Sequence, residues 1–412
     1  MLFFKECKKI VRSLTFWIYC ILVALMFFGN YYAEAEYRET GSPEGGYKIV
    51  EDQEMIMDGA INELMGEFAS NRYVCYPYGF IKQVKLKDSD SDKIEKYIQE
   101  LTHTDHNGVM ELLEEGSKGS VLYGLNEYPE YHFDTMYVDK SVSYERFKEI
   151  MGEIDDILGG GSNYNVDSLV YNYSRVPMTA EDAAKEYDIF INEDKVTGAL
   201  ARLYSDYTGI DLALLPVFVA AALVAADRRR RMTELVYSRK ISSVRLVFTR
   251  YSALVATMFI PVLITMIIAF VQAMNIYSGE SMDMTVMFTL PTFWLLPEIM
   301  IVTAVGILVT ELFSSGVAII VQFVWAFASL MKGSTELYGE IGRFDLICRH
   351  NTIGHRDIFM HNFNDFAFNR IFFIVLSLVI IGIAAYVYDL KRGGRFHGIR
   401  LFGEGGMLRR KA

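Results

Sequence analysis

Six apolar runs punctuate the chain, at residues 13–33, 209–226, 247–273, 289–310, 314–331 and 371–388. Five are long enough, as helices, to cross a hydrocarbon core of about 30 Å, and a sixth is plausible. Charge inside the runs is sparse. Glu298 is the main interior exception, and Asp211 and Arg250 lie near span ends. Between the first two runs the pattern shortens. From Asp52 to Phe68 apolar residues recur at Met55, Ile56, Ala60, Ile61, Leu64 and Phe68, a helical period. Ser89 to Leu101 reads as a second helix. Tyr144 to Leu158 reads as a third, with Phe147, Ile150, Met151, Ile154 and Leu158 on one side and Gly159 to Gly161 at its end. Tyr73 to Val84 is aromatic and β-branched and predicts one or two short strands. Thr179 with Asp182 three residues on resembles a capping box. It opens a helical stretch toward the second span, with breaks expected near Asn192 and Gly209. The predicted fold is an α-helical polytopic membrane protein with six transmembrane helices. A mixed α+β extracytoplasmic domain is expected between helices 1 and 2.

Charge turns this pattern into an expected topology. Residues 33–210 carry 36 Asp+Glu against 16 Lys+Arg, within a chain of net charge -11. Basic residues cluster elsewhere. Lys5, Lys8, Lys9 and Arg12 precede the first span. Arg228 to Arg231, Arg239, Lys240, Arg245 and Arg250 follow the second, and Lys391, Arg392, Arg395 and Arg400 follow the sixth. The positive-inside rule puts all three clusters in the cytoplasm, and six spans satisfy the three placements together. The expected parts are then an N-terminus with helix 1 (1–33), an extracytoplasmic domain (34–208), helices 2–6 (209–390) and a basic cytoplasmic tail (391–412). A cytoplasmic segment at 227–246 and an outer segment at 332–370 interrupt the helices. Ala33-Glu34-Ala35 resembles a signal cleavage site, but the apolar run before it is longer than a usual signal core, so an uncleaved anchor is expected. The link between the fourth and fifth spans, Glu311 to Ser315, is short enough to force a helical hairpin. Pro261 is expected to kink the third span.

Candidate chemistry is thin. Cys7, Cys20, Cys75 and Cys348 have no metal spacing. His103, Asp105 and His106 form a loop cluster better read as solvated than as a metal site. His350, His355 and His361 are spaced five and six apart, which fits no single helical face, and surface or interface roles are expected for them. No nucleotide-binding or hydrolase motif occurs, GSKGS at 116–120 lacking the P-loop spacing. No catalytic residue, cofactor or metal is therefore expected, and nucleic acid is not an expected partner. Tyrosines crowd the outer domain, where core and turn packing is the plainer reading and a recognition surface the sharper one. Glu298 carries two readings: a translocation or gating contact, or an interfacial residue where Pro291 and Pro297 disturb the helix.

The segment Glu234-Leu235-Val236-Tyr237-Ser238-Arg239, running on through Lys240 to Arg250, resembles the post-span-two segment of ABC-2 type permeases, the transmembrane subunits of bacterial ABC transporters. Asn369-Arg370-Ile371 opening an apolar span closed by Lys391-Arg392-Gly393 resembles that family's last helix. The six-span layout with a large outer domain is also similar to one variant. The segment lacks the glycine and Thr-Pro usual there. The resemblance implies a cytoplasmic-membrane permease with both termini inside and no enzymatic activity of its own. ATP hydrolysis would belong to a separate ATPase subunit, contacted through Glu234, Leu235, Tyr237, Arg239 and Lys240. It further implies a homodimer or a heterodimer with a similar permease, membrane lipid around it, and outward transport of a small-molecule, peptide or lipid substrate. The alternatives are a membrane-anchored receptor or assembly protein whose outer domain binds a ligand or partner, and a secondary transporter or channel. No internal repeat of inverted topology favours the latter.

Overall fold

The computed structural model describes residues 2–36, 47–76, 81–117, 136–229, 237, 240–332, 341–350, 352–396 and 399. The chain folds into two compact units, one of Met1–Glu39 with Lys185–Ala412 and one of Thr40–Ala184. The first unit opens with α1 (Leu2–Val11), which is amphipathic and carries Lys8 and Lys9 in its last turn. Ser13 makes the corner. Its hydroxyl donates to the Ile10 carbonyl at 2.7 Å and accepts from Phe16 N at 3.3 Å, capping the next helix. That helix, α2 (Leu14–Glu34), buries Phe16, Tyr19, Val23, Phe27 and Tyr31 along one stripe. Trp17, Ile18, Ile21, Leu25 and Phe28 remain exposed on the other side. An apolar stripe facing outward beside an apolar stripe facing inward is the signature of a helix solvated by lipid.

The Thr40–Ala184 unit is mainly helical. Its helices are α3 (Gln53–Ser70), α4 (Asp88–Thr102), α5 (His106–Ser117), α6 (Tyr144–Leu158) and the short α7 (Leu169–Tyr173). Their ends follow local chemistry. The Asp52 carboxylate accepts from the amides of Glu54 and Met55, and Asn71 closes α3 in the left-handed region. Ser143 caps α6, and Gly159, at φ 95°, ends it where a Cβ would be strained. The periodic residues read from the sequence form one core, including Ile56, Ile61, Leu64, Ile94, Ile98, Phe147 and Ile154. The β structure is smaller than a mixed α+β domain requires. It consists of two antiparallel pairs of three-residue strands, β1 (Tyr47–Ile49) with β4 (Arg175–Pro177), and β2 (Tyr73–Cys75) with β3 (Lys82–Val84). Thr179 and Asp182 form the reciprocal capping box at the head of α8 (Ala180–Asp188).

The remaining helices return to the first unit. They are α9 (Thr197–Leu212), α10 (Leu215–Arg229), α11 (Ser243–Ile276), α12 (Met284–Leu312), α13 (Ser315–Lys332), α14 (Arg356–His361) and α15 (Phe363–Arg392). The apolar stretch expected from residue 209 starts instead at Thr197 and runs to Ala226 through α9 and α10. Arg202 and Asp206 obscured its start, because they lie inside it. Pro216, which has no N–H and cannot continue a helix from Leu212, accounts for the break at Ala213–Leu214. Gln322 Nε2 from α13 donates to the Ala213 carbonyl at that break, at 2.6 Å. α11 continues unbroken through Pro261, and α12 through Pro291 and Pro297.

Among the described residues five helices are long and apolar enough to span a membrane: α2, Thr197–Ala226, α11, α12 and α15. α13 is apolar but shorter. The chain is thus a polytopic α-helical membrane protein. α12 lies at the centre and packs on α9, α10, α11, α13 and α15. Two glycines allow the closest approaches. A Cβ on Gly306 would sit 3.2 Å from Ala220 and Val217, and one on Gly209 would sit 3.4 Å from Glu298 Oε2.

Candidate functional site

Glu298 stands halfway along α12, wholly buried. Its partner is Arg370 on α15, also wholly buried, with Nη1 3.4 Å from Glu298 Oε2. Its two Nη groups also reach carbonyls and sulfur. Nη1 lies 3.3 Å from Trp294 O, and Nη2 lies 3.0 Å from Leu346 O and 2.9 Å from Cys348 Sγ. The 346–348 stretch, which has no regular secondary structure, is therefore held against two helices by one side chain. Glu298 Oε1, Trp294 Nε1 and Arg370 Nε have no hydrogen-bond partner among the described residues. Asp211 on α9 completes the constellation as a further buried carboxylate. The pairing answers the cost of a buried charge, since an isolated ion at this depth would be far less stable. Glu298 thus faces protein, and Arg370, expected at the outer start of the last span, lies within the helix Phe363–Arg392 that forms it.

A second ion pair involves the buried Asp206 of α9. Arg349 Nε donates to Asp206 Oδ1 at 2.7 Å, and His350 N donates to Asp206 Oδ2. His350, expected at a surface or interface, is instead buried, its Nε2 3.2 Å from Gly354 O. Burial, with the nearby positive charge of Arg202, pushes its pKa down to about 3, so the ring is neutral. His355 lies 3.4 Å from Glu186, and of these three histidines His361 is the exposed one.

The opposite ends of these helices carry another set. Tyr237 meets Tyr388 of α15 edge-to-face, with ring centroids 5.5 Å apart. Arg392 donates to the Ile241 carbonyl at 2.5 Å, and Ser243 Oγ donates to Asp389 at 2.7 Å. Lys391 pairs with Glu311 at 2.9 Å, and Arg250 lies 3.7 Å from Glu6 of α1. Of the residues assigned to partner coupling, Tyr237 takes part in this knot and Lys240 is exposed beside it. Glu234, Leu235 and Arg239 lie outside the described residues. In the other unit Asp105 caps α5 through Gly108 N, His106 Nδ1 lies 2.5 Å from Glu95, and His103 closes α4. The histidine loop is thus occupied by capping and pairing.

The sequence reading missed Asp206, Arg349 and the depth of Arg370. One signal was available. Arg202 and Asp206 are four residues apart on an otherwise apolar helical stretch, and charges so placed persist in a span only when paired. No protein-family model, curated protein or solved structure matches the chain.

Proposed function

We propose that the chain is the membrane-spanning permease subunit of an ABC exporter, moving its substrate outward with ATP hydrolysed by a separate ATPase subunit. The observation that carries this reading is the knot around Tyr237, Ile241 and Ser243. These residues follow the basic run 228–231 and are tied to Tyr388, Asp389 and Arg392 at the end of α15. A partner pushing on the 228–246 segment would load α15 at that end. The same helix carries Arg370, bonded to Glu298 on the central α12 and to the 346–348 stretch. A packed helix transmits such a displacement because its contacts switch between discrete arrangements instead of stretching. In this mechanism the chain hydrolyses nothing. The coupling segment receives the stroke, α15 carries it, and the Glu298–Arg370 pair is the contact that changes when the helices rearrange. The three basic clusters then face the cytoplasm, where an ATPase would dock, and the termini lie on that side.

The test is purification of the tagged full chain from its native cells in a detergent that preserves known complexes, with partners identified by mass. An ATPase carrying a P-loop near stoichiometry is the expected result, lost in Glu234→Lys with membrane insertion intact. Its absence would sink the transport reading in favour of a stand-alone receptor.

A further inference from the structure

Two carboxylates stand at mid-span in the membrane unit. Glu298 is halfway along Met284–Leu312, and Asp211, expected near a span end, is halfway along Thr197–Ala226. Both are buried, Asp211 at 6% exposure and Glu298 at none. Arg370 bonds to Glu298. Asp211 has no ion pair and no side-chain hydrogen bond among the described residues. An ionised carboxylate without a partner is too costly to persist at that depth, and such groups neutralise instead.

The elements packed around Asp211 bring it no support. From α2 comes Tyr19, and from α9 itself Tyr204. Tyr19 Oη donates to Met258 O at 2.8 Å, and Tyr204 Oη donates to Val262 O at 2.9 Å. Each phenol has one proton, so neither has one left for Asp211. Arg202 and Asp206 of α9 are paired with Asp194 and Arg349. From α12 comes Glu298, a second acid. Arg245, Arg250 and Tyr251 of α11 lie in its first three turns, short of Met258 and Val262, and the charges of α10 begin only at Asp227. Asp211 is also the penultimate residue of α9, at the negative end of that helix's dipole. Burial, a neighbouring acid and a helix C-terminus all leave a negative charge there unsupported.

The group is nevertheless within reach. Glu298 Oε1 is unbonded and sealed from a water-sized molecule, whereas the Asp211 carboxylate oxygens are not sealed. A proton can therefore exchange at Asp211. The helix break at Ala213–Leu214 begins two residues further on, and Gln322 Nε2 donates to the Ala213 carbonyl there. Broken helices near the midplane are where many transporters place coupling-ion sites. A metal ion would need several oxygens at once. No cluster of three or more His, Cys, Asp or Glu side chains that could hold one occurs among the described residues, and the Met258 and Val262 carbonyls already accept from tyrosines.

We propose that Asp211 is a proton-binding site at the centre of the membrane, loaded as the neutral acid and emptied by exchange with water. The site goes beyond the transport reading and needs no ATPase partner.

The experiment takes the full chain in phosphatidylcholine nanodiscs and follows its infrared spectrum from about pH 6 to about pH 10. The background is Glu67→Gln, because Glu67 also holds a proton near neutral pH. A carbonyl band of a protonated carboxylic acid is expected at the low end of the range. It should shift in D2O, fade as pH rises, and be missing when Asp211→Asn is added. Asparagine keeps the size and the neutrality, so the unfolding midpoint of that variant should match the parent's. A second measurement uses dicyclohexylcarbodiimide, which dissolves in the bilayer. The carboxyl proton passes to a reagent nitrogen and the carboxylate oxygen adds to its central carbon. The O-acylisourea then rearranges to a stable N-acylurea, so the whole reagent is gained and nothing leaves. Peptide mass should place the adduct on Asp211 at about tenfold or more over the sealed Glu298, and labelling should fall by about tenfold per pH unit once the acid ionises. A band that survives Asp211→Asn, or that ignores D2O, would overturn the proposal. Labelling that stays constant across the range would do the same, since the proton would then be fixed. Protection by sodium chloride relative to choline chloride would reassign the site to a metal cation.

Discussion

In the Thr40–Ala184 unit Arg146 meets Glu100 through two hydrogen bonds of 2.8 and 3.1 Å, with both side chains in water. In the membrane unit Arg370 meets Glu298 at 3.4 Å, with both side chains wholly buried. The longer contact is the one the fold depends on. Exposed ions lose little when they separate, because water replaces the partner, whereas a buried ion has no substitute. The two units therefore place charge oppositely. One buries apolar side chains and exposes charge. The other exposes Ile264, Ile267, Val375 and Val379 and buries Arg202, Asp206, Glu298 and Arg370.

The largest expected effect comes from breaking the buried pair on one side. Arg370→Ala should cost about 3–5 kcal/mol, because it strands Glu298 and frees the 346–348 stretch. Thermal unfolding of the purified protein in detergent measures this. The double variant Glu298→Met with Arg370→Met should recover much of the loss, and failure to recover would mean that shape rather than charge matters there.

The comparison sharpens at Glu67, a carboxylate of the Thr40–Ala184 unit that follows the rules of the membrane unit. It accepts from Val74 N and Tyr164 Oη, both at 2.6 Å. Burial outweighs these bonds and pushes its pKa up to about 7. The folded state then holds a proton that the unfolded chain releases near its ordinary value. Stability from this group is full below about pH 4.5 and is lost as pH rises through about 7, on the order of 3 kcal/mol at most. Hydrogen exchange of peptides from α3 in the full chain should show that slope, and Glu67→Gln should flatten it. An unchanged slope would assign the effect to another group.

A smaller effect is expected at the Tyr237–Tyr388 contact. Tyr388→Leu, which keeps most of the buried apolar volume, should cost about 1 kcal/mol in stability, in line with the loss of an aromatic pair. If the coupling reading holds, it should reduce ATP-driven transport by more than it reduces stability. Arg146→Ala should leave the unfolding midpoint unchanged within error, and a clear drop would contradict the contrast between the two units.

Much of the fold was legible in local pattern. The periodic residues of Asp52 to Phe68 and Tyr144 to Leu158, with Gly159 beyond the latter, gave helix positions because helix formation and capping depend on neighbours within four residues. The apolar runs did the same for the spans. Reading failed where charge interrupted hydropathy. Arg202 and Asp206 hid the first turns of α9, and His350 passed for a surface or interface residue.

The sequence by itself determined that this is a multi-span membrane protein, where most of its helices run, and that its basic residues gather at particular helix ends. Those properties are sums over adjacent residues. Only the tertiary structure decided that Glu298 pairs with Arg370, that Asp206 pairs with Arg349, and that Asp211 meets no cation among the described residues. Glu298 and Arg370 are 72 residues apart and Asp206 and Arg349 are 143 apart, and such partners are chosen by packing in space, which no local period records.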